Sequence, residues 1–243
     1  MTPVLDYRQL AAVGPYFALD VATAPGEGPP PGFRPLRELY AGGPDSLLAG
    51  RVRVVAQRLG TAEPRVAASI LHLGLAARFW SVGLGSALLL GVVPDLDPDR
   101  ARVRVPDQGP IDLWRPYAPA PSGREPLTER LHQSVVQGQL TPLGAAVRTV
   151  APIAGRLLWG NAASALAGAL RMLDAHGAPG HGRALVAELL DRPPLAGTGV
   201  LRALGPRDTA FRRNSCCLYY RVGPGAGVCG DCCFTRPPGP RAG

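Results

Sequence analysis

From residue 45 onward, apolar residues recur at intervals of three and four. Leu48, Val52, Val55 and Leu59 follow Asp45 and Ser46, which have the short polar side chains that cap a helix start. Thr61 then restarts the chain, and Glu63-Pro64 fits a first helical turn. Val66, Ile70, Leu73, Ala77, Trp80 and Leu84 continue one apolar stripe, and His72 beside it reads as a packed core histidine. Residues 79–93 are almost wholly apolar, but Arg78 and Pro94-Asp95 confine the run to about fifteen residues, short of the ~20 that span a bilayer. The pattern therefore predicts a buried helix interrupted near Gly83 and Gly85, with no stable membrane insertion.

Helical spacing returns after Thr128, after Thr141-Pro142, and most extensively at Trp159, Ala163, Leu166, Leu170 and Leu173, where His176-Gly177 supplies a glycine cap. Asn161 is a polar residue inside that stripe, and bonding to a neighbouring backbone is its expected role. A shorter helix over Arg183–Leu190 stops before Pro193-Pro194. Only 102–114 alternates with a period of two, predicting a pair of strands broken at 106–110. Asp95, Asp97 and Asp99 alternate as in a calcium loop but lack its glycine and closing glutamate, which leaves a solvated turn.

At 243 residues and 46% hydrophobic content, the chain is long enough to bury one substantial core. The expected fold class is mainly α (α+β): a helical body with a short β pair and a small C-terminal module. The body is residues 1–205, with a Pro/Gly-rich loop or linker at 21–36. The GTG and GP elements at 197–206 read as a hinge into the module, 206–233. Residues 234–243 have nothing to bury and read as a disordered tail.

The net charge is +8, and every one of the 26 basic residues is arginine. Without lysine there is no Walker A phosphate loop and no Schiff-base lysine. The arginines are scattered and no helix-turn-helix, zinc-finger or RNP pattern is present, which argues against nucleic acid as a partner. There is no G-x-S-x-G elbow, no H-E-x-x-H helix and no obvious carboxylate pair for hydrolysis. Residues 225–230 fit G-x-G-x-x-G, yet they lack the following helix and distant acidic residue of a dinucleotide site. No nicotinamide or flavin site is visible elsewhere.

All five cysteines lie in the last 28 residues: Cys216-Cys217, eleven residues, then Cys229-Gly-Asp-Cys232-Cys233. The N-terminus shows no export signal, so a reducing cytoplasm is the expected compartment, where grouped thiolates serve metals or redox work. Three readings remain open. Cys216, Cys217, Cys229 and Cys232 hold a [2Fe-2S] cluster; or they hold structural zinc; or the thiols are unligated or in an adventitious disulfide. The adjacent pair suits a binuclear cluster better than one zinc ion, because neighbouring side chains tend to diverge.

The run RRNSCCLYYRV, a glycine-rich turn and CGDC resemble the C-terminal [2Fe-2S] motif of the FhuF-like ferric-siderophore reductases, CC-x10-C-x2-C. RVAASILHLGLAARFW, GVVPDLDP and LLWGNAASAL resemble that family's helical body, extending the resemblance over residues 61–232. This chain departs from the motif in having eleven residues rather than ten between Cys217 and Cys229, an insertion that a Gly/Pro turn absorbs. Cys233 has no counterpart; it is either a spare thiol or a substitute for Cys232, and Cys232 fits the spacing better. The resemblance implies a cytoplasmic oxidoreductase that passes single electrons to a ferric siderophore and releases iron(II), with Cys216, Cys217, Cys229 and Cys232 as cluster ligands. Its electrons would come from an external donor, a ferredoxin or a flavin reductase. Arg212, Arg213 and Arg221 flank the thiolates and offset the cluster's charge, attract an anionic chelate or acidic electron donor, or lie solvated at the surface. Tyr219 and Tyr220 read as strand residues packed beside it. The competing class is a non-catalytic binding or adaptor protein whose C-terminus is stapled by zinc or an iron-sulfur site.

Overall fold

The computed structural model describes residues 5–117, 125–223 and 225–238. Its centre is a pair of long helices, α3 (Pro64–Leu90) and α6 (Gly155–Ala175), packed along each other. Around them lie α1 (Arg8–Val13), α2 (Leu47–Leu59), α4 (Leu127–Leu131), α5 (Thr141–Val150) and α7 (Gly182–Leu190). The boundaries follow local chemistry. The Ser46 side chain accepts a hydrogen bond from the Ala49 N–H and caps α2, Pro64 opens α3, and Gly60 and Gly91 close α2 and α3 in the left-handed region.

The helix α3 is continuous through Gly83 and Gly85, contrary to the expected interruption. These glycines are places of close approach. A Cβ on Gly83 would lie 2.7 Å from Val135 Cγ2, and one on Gly85 would lie 2.8 Å from Phe17 Cδ1. Gly85→Val is therefore expected to lower stability by about 1–3 kcal/mol through overpacking, measured as a urea midpoint shift at unchanged slope. The fifteen-residue estimate is also corrected: α3 spans 27 residues and is long and apolar enough to cross a membrane by length and composition, yet most of it is buried inside the fold. Arg78, itself buried, is satisfied there by donating to the carbonyls of Ile111 (2.8 Å), Tyr16 (2.6 Å) and Ala18. Burial lowers its pKa to about 10, which leaves it charged at neutral pH.

Between α4 and α5 the chain runs as a π-helix, His132–Leu140, in which the Thr141 N–H bonds back to the Val136 carbonyl. Its buried Gln139 donates to the Leu96 carbonyl at 2.8 Å and accepts from the Tyr40 hydroxyl, tying this segment to the loop after α3 and to the 3-10 helix Leu36–Tyr40.

The strand pair predicted over 102–114 is present as β3 (Arg102–Arg104) and β4 (Asp112–Arg115). It belongs to a four-stranded sheet of order β1-β4-β3-β2. β1 (Asp20–Val21) and β2 (Arg34–Pro35) come from the edges of the segment read as linker, and Leu36 beside them is fully buried, so that segment is pinned at both ends. The 95–99 turn is closed as expected, with Asp95 and Asp97 carboxylates accepting from the backbone N–H two residues on. The fold is mainly α with a small β component.

A further correction concerns 197–206, read from the sequence as a hinge. This segment contains β5 (Gly199–Gly205), paired antiparallel with β6 (Asp208–Arg213), and Phe211 of β6 enters the common core. The hairpin lies against α6 and delivers the cysteine segment to the α3–α6 surface.

Candidate metal centre

Immediately after β6 the chain makes a sharp bend at the two adjacent cysteines. Leu218, the next residue, sits at φ +68, a left-handed conformation that a branched side chain rarely adopts. The bend turns the Leu218 N–H back to the Cys216 sulfur at 3.2 Å. It also gives each of the adjacent thiols further partners of its own. Cys217 Sγ lies 3.3 Å from Cys229 Sγ, while the sulfurs of Cys216, Cys232 and Cys233 all lie within 4.8 Å of one another. Tyr219 and Tyr220 follow in a short 3-10 helix, Tyr219–Arg221, not in the expected strand. The bend at Leu218 prevents β6 from continuing.

The four cysteines singled out from the sequence thus converge, and Cys233 converges with them. Cys217 is 1% exposed and the other four are half-buried. Hydrogen bonds from the neighbouring thiols Cys216 and Cys229 pull the Cys217 pKa far down, and Arg213 adds to this. The same contacts push Cys216 and Cys229 up, because one shared negative charge already occupies the group.

Two layers of polar contacts hold the cysteine segments in place. The Ser69 hydroxyl on α3 donates to the Cys217 carbonyl at 2.7 Å, and the Asn161 amide on α6 donates to the Ser69 carbonyl and hydroxyl at 2.9 and 3.1 Å. The backbone role expected of Asn161 is its role here. On the other strand of the loop, the Asp231 carboxylate accepts from Ser164 at 2.5 Å and pairs with Arg171 at 3.2 Å. Its carbonyl accepts the Arg213 N–H at 3.0 Å. Gly160 permits this approach, since a Cβ there would collide with Ser215 and lie 3.1 Å from Arg213 Nη2.

The three flanking arginines separate cleanly. Arg212 is exposed and donates to the Cys233 carbonyl at 3.2 Å, and Arg221 forms a two-point pair with Glu63 at 2.7 and 2.9 Å. Arg213 is 1% exposed. Its Nη2 donates to Asn161 Oδ1 at 2.7 Å, its Nε and Nη1 have no partner, and no carboxylate among the described residues pairs with it. A buried cation without a counter-ion is costly. An anionic group among the cysteines removes that cost.

This donor set suits a thiolate-ligated cluster: converging soft ligands, N–H groups aimed at the Cys216 and Cys232 sulfurs (the latter from Phe234 at 3.4 Å), and a buried positive charge. The fold and site define an iron-sulfur protein whose cysteines are carried on the surface of a helical body. A family model described as Ferric iron reductase FhuF-like transporter matches residues 83–211, and one described as FhuF 2Fe-2S C-terminal domain matches residues 213–234. The chain belongs to the FhuF-like ferric iron reductase family, and its cofactor is a [2Fe-2S] cluster. No curated protein matches it.

Sequence reasoning did not reach the supporting set, Ser69, Ser164, Arg171 and Asp231. Ser69 and Ser164 lie within apolar helical stripes and Asp231 inside the C-x2-C knuckle, so nothing in their spacing marks them.

Proposed function

We propose that this protein reduces ferric siderophores in the cytoplasm, one electron at a time, and releases iron(II). The observation that carries the reading is Arg213: a buried cation with two unpartnered nitrogens beside converging thiols, in a chain of a ferric reductase family. Cys216, Cys217, Cys229 and Cys232 would hold the cluster. When bound, a [2Fe-2S] cluster supplies single electrons at a potential set by charge, hydrogen bonds to sulfur and exposure.

The chain's residues account for those settings. Ser69 and Asn161 fix the Cys217 backbone, the Leu218 and Phe234 N–H groups meet sulfur, and Arg213 supplies positive charge from the inner side. Half-buried Cys216, Cys229 and Cys232 leave the outer side open to partners. Siderophores hold iron(III) through hard oxygen donors. The added electron makes iron(II), a softer ion that these donors grip weakly. The electron lost to each ferric chelate is replaced by a one-electron donor, a reduced ferredoxin or flavin reductase.

The division into a body, 1–205, a cluster module, 206–233, and a tail, 234–243, belongs to the same proposal. Its first boundary falls at the β5–β6 turn, so β5 goes with the body and β6 with the module. Residues 239–243 of the tail lie outside the described residues.

The test is anaerobic reoxidation. Dithionite-reduced protein, freed of reductant, should regain its oxidised visible spectrum on adding a ferric siderophore, with one iron(II) trapped per cluster by an iron(II)-specific chelator. A reduced spectrum that no ferric chelate restores counts against a reductase and favours a non-catalytic adaptor.

A further inference from the structure

A cavity of about 240 Å³ opens between α3, α5 and α6, with His72, Gly144, Arg148, Gly155, Leu158 and Trp159 in its lining. Helix spacing places it next to the cysteine site. His72 lies three residues beyond Ser69, which anchors Cys217, and Leu158 lies three residues before Asn161. Residues three apart share a helix face. The cavity therefore adjoins the polar chain that carries the cysteine loop, about one helical turn away along both α3 and α6.

The lining is chemically mixed in a specific way. His72 is 1% exposed and its Nδ1 has no hydrogen-bond partner. Burial and then Arg213 lower its pKa to about 3, so the ring is neutral and offers one donor and one acceptor. Native interiors seldom leave such an atom unpaired; it is closed off inside the fold, so the ring must turn toward the cavity before a ligand group there can pair with it. Trp159 is half-buried and gives an aromatic wall, and exposed Arg148 places a cation at the rim. Gly144 and Gly155 leave the remaining wall low, and a Cβ on Gly155 would meet nothing within 4 Å.

Pockets that enclose a whole drug-sized ligand measure about 300–1,000 Å³. This one is smaller, so it suits part of a ligand: something planar, oxygen-rich and anionic. The geometry points to the cavity as the seat of one bidentate arm of the ferric chelate, a catecholate or a hydroxamate. His72 bonds an arm oxygen, Trp159 lies against its plane and Arg148 faces its charge. This assignment rests on the reductase reading. Seating an arm here keeps the ferric ion beside the cysteine loop. A His72 N–H that shares an arm oxygen with the metal also weakens that oxygen's hold as iron(II) forms.

Gallium(III) complexes of a tris-catecholate and of a tris-hydroxamate serve as probes, because gallium(III) takes the same oxygen donors and accepts no electron. They are titrated by calorimetry into oxidised, cluster-loaded protein. Gly155→Leu, which fills the cavity, and Arg148→Glu, a surface charge reversal that stands independently of any folding effect of the first, are each expected to weaken binding at least tenfold. Iron content, visible spectrum and cluster potential should stay as in the wild type. Weakening confined to one complex identifies the arm. Unchanged binding by both variants overturns the seat. If the wild type is reoxidised by the ferric chelates and both variants show the same concentration dependence, the seat is elsewhere and the reductase reading stands. If no ferric chelate reoxidises the wild type, that reading fails and the seat with it.

Discussion

Cys229→Ser is expected to yield a colourless protein, with no iron or inorganic sulfide retained, whose far-UV helical signal matches the wild type. The first half follows from geometry: the Cys229 sulfur lies 3.3 Å from that of buried Cys217, and the hard hydroxyl of serine replaces a soft thiolate poorly. The second half follows from where the core lies. The hydrophobic core is built by α3, α6 and the elements around them, with Phe211 as its entry point from β6, and no cysteine belongs to it. Loss of the cluster should thus remove the stabilisation gained from metal binding without removing the packing that folds the helices. Iron and sulfide assays together with circular dichroism decide the matter, and retention of a full cluster would remove Cys229 from the ligand set. The companion pair addresses the fifth thiol. Cys232→Ser should behave like Cys229→Ser, while Cys233→Ser should keep its iron, even though its sulfur, like that of Cys232, lies within 4.8 Å of the Cys216 sulfur.

Sequence patterning reached the helices because apolar residues recur along them at helical spacing between recognisable caps. The Trp159-to-Leu173 stripe, the Ser46 cap and the Pro64 start all correspond to observed features. It failed where the determining contact is distant in sequence. Gly83 and Gly85 read as helix breakers because glycine's low propensity is local information, whereas Val135 and Phe17, which require the missing side chains, lie far along the chain. β1 and β2 were hidden for a similar reason: two-residue strands carry no period, and only pairing with β3 and β4 reveals them. The hairpin strand β5 alternates weakly and is mostly exposed. At the site, cysteine chemistry was legible because thiols in such spacing have few other uses. The choice among Arg212, Arg213 and Arg221 was not, because all three sit in one short basic stretch. Only the fold shows that one points inward, one outward and one at Glu63.

That distinction makes Arg213 the place where charge should control redox behaviour. Adding an electron to a thiolate cluster increases its negative charge, so a fixed cation nearby favours the reduced state and raises the potential. A unit charge within about 10 Å, at an effective dielectric near 20, contributes about 1–2 kcal/mol, or about 40–90 mV on a one-electron couple. Arg213→Met, which keeps the length of the chain and removes the charge, is expected to lower the midpoint potential by that amount. Arg213→Lys, which keeps the charge while losing the bond geometry to Asn161, should restore at least half of the shift. The two effects on stability run in opposite directions. Without the cluster, Arg213→Met removes a buried, uncompensated cation and at the same time leaves Asn161 Oδ1 without its donor, so the net change should be small. With the cluster it removes the counter-charge, so iron should be lost faster to a chelator. A spectroelectrochemical titration of the three proteins, paired with the rate of bleaching in excess chelator, reads both quantities. An unchanged potential in Arg213→Met would mean that the buried guanidinium serves the packing of α6 against the hairpin and has no hold on the electron.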